Sequence, residues 1–120
     1  MNRTEVFAII FKRNQGAILH AVDGLSHAEG LLQLPGDSNC MNWVLGHIAT
    51  YRDGMLADIG IEEYMSEDET SLYGSGSSPI TVDSPAVDFD RQVELQMLTF
   101  DGLYNWLKSN PSDLDKEARD

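Results

Sequence analysis

The segment from residue 39 to residue 59 carries apolar side chains on more sides of a helix than a single neighbour can cover. A surface helix needs only one apolar stripe, because about 3.6 residues complete each turn. Here the apolar residues fill a much wider arc: Met41, Trp43, Val44, Leu45, Ile48, Met55, Leu56 and Ile59. Such a helix must contact neighbours on several sides, which restricts the chain to a fold of several packed helices.

Two further segments show helical spacing of their apolar residues. Residues 4–22 carry a stripe of Phe7, Ile10, Phe11, Ile18, Ala21 and Val22, with Asn14 in its middle. The segment from about Pro85 or Asp88 to Lys108 carries Phe89, Val93, Phe100, Leu103, Tyr104 and Leu107, with Gln96 among them. Both patterns predict amphipathic helices.

Local signals predict where these three helices begin and end. Thr4, Asp37 or Ser38, and Pro85 or Asp88 stand at the expected starts, and Asp23-Gly24, Gly60 and Asn110-Pro111 at the expected ends. Residues 62–84 combine an acidic run with a glycine- and serine-rich stretch and predict a connecting loop. Residues 112–120 read as a polar tail.

The predicted fold is an all-α, up-and-down helical bundle, and residues 1–120 form a single domain. Three long helices come from this chain. The broad apolar belt of the second helix calls for a fourth, which missing sequence or a partner chain would supply.

Acidic side chains outnumber basic ones by 20 to 8, which gives a formal net charge of −12. Such a surface repels polyanions, so the composition argues against binding to nucleic acid or to anionic membranes. No apolar run approaches the roughly 20 residues of a membrane span, and the first residues lack the pattern of a signal peptide. The single cysteine provides no intramolecular disulfide framework. Together these properties predict a cytoplasmic protein.

His47 lies on the apolar second helix, where its imidazole needs a partner. One interpretation is a core histidine that is hydrogen-bonded to Asn14 or Gln96. The other is a metal ligand, because neutral imidazole binds zinc, nickel or iron and helical bundles gather ligands from facing helices. The remaining histidines offer little support for a full ligand set, since His20 is predicted to be exposed and His27 falls in a loop.

Two other features have weaker functional interpretations. Cys40 stands in the first turn of the second helix, where the helix dipole favours a thiolate, but no histidine lies one turn away, and a structural thiol is the favoured interpretation. The acidic run lacks the spacing of a calcium loop and predicts a solvated surface.

The order of several short motifs resembles the DinB-like (DinB/YfiT) superfamily. The motif-bearing stretches are Leu25-Ser26, Pro35-Gly36, Ser38-Asn39, Trp43-Val44-Leu45-Gly46-His47-Ile48, Arg52-Asp53, Leu56, Gly60 and residues 112–115. Of these, the Asn-x-x-x-Trp-x-x-Gly-His pattern from Asn39 to His47 is the most specific. The resemblance extends over nearly the whole chain.

This resemblance implies a four-helix bundle, usually homodimeric, with a divalent metal held by three histidines. His47 matches the first ligand, whereas the other two belong to a later His-x-x-x-His pair that this sequence does not contain. Active members are metal-dependent transferases, isomerases or hydrolases that use small thiols. The alternative hypothesis is a non-catalytic helical module that self-associates through its uncovered apolar faces.

Overall fold

The structure is a computed structural model that describes residues 1–33, 35–36 and 38–110. Five helices account for the regular structure of these residues: α1 (Arg3–Val22), α2 (His27–Gly30), α3 (Met41–Asp58), α4 (Glu67–Ser71) and α5 (Phe89–Ser109). No strand occurs among them. The prediction of an all-α protein with three long helices is therefore confirmed. Within the described ranges, no helix is both long enough and apolar enough to cross a membrane.

The ends of the long helices differ from prediction mainly at their starts. Asn2 caps α1 by accepting a hydrogen bond from the Glu5 backbone N–H, so Thr4 is not the cap and lies buried inside the helix. Cys40 holds the N-cap position of α3 without a side-chain hydrogen bond, in place of Ser38. The alternative cap, Asp37, lies outside the described residues, as do Pro111 and residues 112–120.

Two of the predicted boundaries are confirmed by their cap geometry. Asp88 caps α5, and its carboxylate accepts from the Asp90 backbone N–H. Gly60 ends α3 in the left-handed region, with a φ of 81°. There the Ile61 N–H donates to the Leu56 carbonyl at 2.8 Å, which forms a Schellman motif.

The two short helices were not predicted, although each begins with a capping box. Ser26 and Glu29 exchange hydrogen bonds at the start of α2, and Ser66 and Glu69 do the same at the start of α4. Both Ser-x-x-Glu patterns are visible in the sequence. They lie outside the three apolar stripes, and so the periodicity gives no sign of them.

α5 is the central helix of the fold. Both α3 and α1 pack against it along their length, whereas α1 and α3 approach each other mainly through side chains. The three long helices therefore pack together, with α5 in contact with both of the others.

The connection between α3 and α5 contributes to the core as well as to the surface. Met65, Tyr73 and Ile80 are buried against α3 and α5. Asp53 anchors the start of this connection, because its carboxylate accepts from the backbone N–H groups of Tyr64 and Met65 at 2.8 and 2.9 Å. Most acidic side chains of the run do face solvent, as predicted, but Glu69 is partly covered and pairs with Arg91 at 3.3 Å.

Replacing Asp53 by Asn is expected to destabilise the protein by about 2 kcal/mol, because a buried charged acceptor of two backbone N–H groups is lost. Urea unfolding monitored by circular dichroism measures the change. The matched control is Asp101→Asn, an exposed acid on α5, for which a change within about 0.5 kcal/mol is expected. Equal effects of the two substitutions would contradict the anchoring role of Asp53.

Candidate functional site

The His47 ring is held on three sides. Its Nδ1 lies 2.8 Å from the backbone carbonyl oxygen of Tyr73. The Trp43 ring stacks on it with centroids 4.5 Å apart, and the Tyr51 ring meets it edge-on at 4.7 Å. The imidazole is therefore fixed in position and orientation by α3 and by the segment that follows α4.

The carbonyl partner also fixes the tautomer of the neutral ring. A carbonyl only accepts, so Nδ1 carries the proton and donates, and Nε2 is left with the lone pair. The predicted partners are not the actual ones: Asn14 is exposed, and the Gln96 side chain donates to the Leu45 carbonyl at 2.7 Å. His47 is hydrogen-bonded, as one interpretation required, but to the backbone of a distant loop.

Trp43, His47 and Tyr51 lie on successive turns of α3 and are named here the aromatic ladder. The same loop contacts all three of them. Trp43 Nε1 donates to Ser77 Oγ at 3.0 Å, and the hydroxyls of Tyr51 and Ser75 lie 2.8 Å apart. Each ladder residue thus bonds the loop once, and the glycine- and serine-rich stretch runs along α3 instead of projecting from it.

Gly46 allows this close approach. A Cβ at Gly46 would overlap the ring of Tyr73, which is fully buried. The Tyr73 hydroxyl donates to Asn42 Oδ1 at 2.7 Å and accepts from the Val87 N–H at 2.8 Å. Burial raises the pKa of Tyr73, so the phenol stays protonated and keeps its donor. The segment around Tyr73 is therefore held against α3 by Asn42, Gly46 and His47 together.

The described residues do not bring a metal-ligand set to His47. No group of three or more histidine, cysteine, aspartate or glutamate side chains is close enough within them to hold an ion. His20 is exposed on α1, as predicted. The prediction that His27 falls in a loop is wrong, because His27 begins α2, and its Nδ1 accepts from the Phe89 N–H at 3.1 Å. Cys40 is buried and its thiol donates to the Ile80 carbonyl at 3.4 Å.

Arg52 is the least expected polar group in the core. It is only 4 % exposed, yet within the described part of the chain it has no carboxylate partner. Nη1 donates to Gln15 Oε1 at 2.9 Å and to the Gln96 carbonyl at 3.1 Å, and the guanidinium carbon lies 5.0 Å from the centre of the Phe11 ring. These partners are neutral, so they stabilise the guanidinium charge but do not neutralise it.

Burial lowers the pKa of Arg52 well below its ordinary value, to about 10. The guanidinium is therefore charged in both the folded and the unfolded chain at neutral pH. Because the folded state holds this proton less tightly, the charge disfavours folding at every pH below that value, by a few kcal/mol. The position could have been found from the sequence, since Arg52 lies at helical spacing from Leu45 and Leu56 on the buried side of α3.

An apolar groove of about 250 Å³ lies next to this cluster and is named here the open groove. It is lined by Phe7, Phe11, Met55, Asp58, Ile59, Leu103, Trp106 and Leu107. Phe11 contacts both the open groove and the Arg52 guanidinium. The lining residues of the open groove belong to α1, α3 and α5, together with Ile59 directly after α3.

The predicted stripe on α1 is only partly used by the intramolecular core. Val22 is buried at 3 % exposure, whereas Phe7 and Ile10 on the other edge of the stripe are 46 % and 52 % exposed. On α3, Met55 is 46 % exposed. Of this stripe, Phe7 and Phe11 line the open groove, whereas Val22 packs with Leu45 and Phe89 in the core.

Comparisons with models of protein families, with curated protein sequences and with solved structures give no match to this chain. The resemblance to the DinB/YfiT superfamily accordingly stays a prediction that rests on the motifs themselves.

Replacing Gly46 by Ala is expected to destabilise the protein by about 2 kcal/mol or more, because the new methyl group overlaps the buried Tyr73 ring. Gly54→Ala on the same helix is the matched control, since a Cβ there meets nothing within 4 Å. The control is expected to stabilise the protein by about 0.5–1 kcal/mol through helix propensity. Thermal and urea unfolding measure both, and a neutral Gly46→Ala would contradict the close packing.

Proposed function

We propose that this chain is a self-associating helical module of the DinB/YfiT type, in which two copies pair through the open groove. The observation that carries the proposal is the apolar open groove lined by α1, α3 and α5, where Phe7 and Met55 are each about half exposed. Apolar surfaces of this kind, contributed by more than one helix, are typical of surfaces that a partner covers.

The energetics favour association through this face. Full burial of a large apolar side chain contributes about 1.5–3 kcal/mol. Several half-exposed side chains covered at once on each copy therefore contribute enough to offset a substantial part of the entropic cost of pairing two molecules.

Charge also favours this face over the rest of the surface. The whole chain carries −12, so two copies repel each other in general. α1 is the exception, because it holds three of the eight basic residues, Arg3, Lys12 and Arg13, and a single acid, Glu5. Self-repulsion is weakest where α1 is part of the contact.

Sedimentation equilibrium across the micromolar range tests this function. The wild-type protein is expected to dimerise, and Phe7→Glu to weaken the dimer at least about tenfold, or about 1.4 kcal/mol, because a charge enters the groove. Ile9→Glu is the matched control: Ile9 is 44 % exposed on the same helix but lies outside the open groove. A strictly monomeric wild-type protein at tens of micromolar would refute the proposal.

A second candidate function is a divalent metal centre for chemistry on small thiols, with His47 as one ligand. The hydrogen bond from Nδ1 to the Tyr73 carbonyl favours it, since metal-binding imidazoles usually hold their second nitrogen in this way. The described residues supply one ligand of the three that such a site needs. They do not fit a complete centre, so the other ligands would have to come from another chain or segment, and no reaction step follows from this geometry.

Zinc titration by isothermal calorimetry tests the second candidate. Under this candidate function, the wild-type protein is expected to bind zinc with a defined stoichiometry. His47→Ala is expected to abolish that binding because it removes the Nε2 lone pair that would bind the ion. His20→Ala is the control, since His20 is exposed on a different helix. Binding that survives His47→Ala, or no binding by the wild type, would eliminate a His47 centre.

A further inference from the structure

Another cavity lies between the beginning of α1 and the end of α5 and is named here the terminal cavity. Its volume of about 330 Å³ is within the range of small-molecule sites. Its walls include Thr4, Glu5, Ala8, Ile9, Leu107 and Lys108. None of its described lining residues belongs to α3, so the terminal cavity is separate from the His47 ring.

The hydroxyl of Thr4 is the observation that points to a ligand. Thr4 lines the terminal cavity and is only 2 % exposed, and its Oγ1 has no hydrogen-bond partner in the part of the chain that the structure describes. A buried hydroxyl without a partner destabilises the folded state. A molecule in the cavity would supply the partner that this hydroxyl lacks.

The position of Thr4 explains why the helix itself does not satisfy the hydroxyl. Thr50 and Thr99 lie deeper in their helices, and each donates to the carbonyl four positions earlier, at 2.8 and 2.7 Å. Thr4 stands in the first turn of α1, where no helical carbonyl precedes it by one turn. Its hydroxyl is therefore available to a group outside the helix.

Two opposite charges line the same cavity without pairing with each other. Neither the Glu5 carboxylate nor the Lys108 ammonium forms an ion pair within residues 1–33, 35–36 and 38–110. Lys108 Nζ instead lies 5.5 Å from the centre of the Tyr104 ring, which also lines the cavity. A molecule that carries both a negative and a positive group is complementary to this pair of charges.

We infer that the terminal cavity binds a small zwitterion with an apolar side chain, of the class of free apolar α-amino acids. The ligand carboxylate accepts from the Thr4 hydroxyl and faces the Lys108 ammonium, and the ligand ammonium faces Glu5. The positive end of the α1 dipole favours the carboxylate at the same place.

The apolar part of the cavity accounts for the side chain of the ligand. Ile9 is 44 % exposed beside the polar groups, and Ala8 and Leu107 extend the same wall. An aliphatic side chain that covers Ile9 removes apolar surface from water, which contributes to binding. The site does not depend on the proposed self-association, because Leu107 is the one described residue that it shares with the open groove.

Titration of the whole chain with L-leucine, followed by ¹H–¹⁵N NMR, tests the inference. Saturable shifts are expected for amides at the start of α1 and the end of α5. The matched probes are 4-methylpentanoate, which lacks the ammonium group, and 3-methylbutylamine, which lacks the carboxylate. Each is expected to bind at least about tenfold more weakly than leucine, because one charge of the cavity stays unpaired.

Variants of Thr4 separate binding from folding. Thr4→Val keeps the shape of the side chain and is expected to weaken leucine binding at least about tenfold. The same substitution is expected to leave the unliganded protein at least as stable as the wild type, because it removes an unsatisfied buried hydroxyl. Thr4→Ser restores the hydroxyl and is expected to restore binding.

Charge variants complete the test. Lys108→Met is expected to weaken leucine binding, whereas Lys12→Met, at an exposed lysine of α1 outside the cavity, is expected to leave it unchanged. No saturable binding by the wild type up to about 10 mM leucine would overturn the inference. Unchanged affinity in Thr4→Val, or equal affinity for leucine and for either matched probe, would overturn it as well.

Discussion

The packing of the Tyr73 ring on Gly46 is the contact on which most of the described structure depends. The ring fits only because the helix presents no side chain at that point. The Tyr73 hydroxyl links Asn42 of α3 to the Val87 backbone shortly before α5. The Tyr73 backbone carbonyl accepts a hydrogen bond from His47 Nδ1. One residue thus links α3, the long connection and the approach to α5. The hydroxyl and the backbone carbonyl of Tyr73 are both hydrogen-bonded while its ring is fully buried.

This contact changes the interpretation of the Trp-x-x-Gly-His motif. Three of its features meet the same loop: Trp43 bonds Ser77, Gly46 admits the Tyr73 ring, and His47 bonds the Tyr73 carbonyl. The motif has a structural explanation that requires no ion. The same hydrogen bond leaves Nε2 of His47 as the acceptor nitrogen, so one geometry serves both a structural imidazole and the first ligand of the proposed centre.

The sequence predicted the long helices well because their apolar spacing is a local property. The cap at Asp88 and the end at Gly60 followed from local chemistry in the same way. The partner of His47 could not be found like this, because it is a backbone carbonyl 26 positions away, placed by a loop with no periodicity. The stripe on α1 was recognised, but periodicity gives the width of an apolar face and not which neighbour covers it. The exposure of Phe7 and Ile10 is therefore a result of the structure.

The central position of α5 has a consequence for how the protein is made. α1 is synthesised before the other two long helices, yet the helix it packs on is the last of the three. The hydrogen bond from the Gln15 side chain to the Gln96 carbonyl spans 81 positions. α3 and its connection can dock earlier, because Asp53 reaches Met65 over only 12 positions. The apolar stripe of the nascent α1 therefore stays unpaired until α5 has been synthesised, and during that interval a chaperone or a neighbouring nascent copy would protect it.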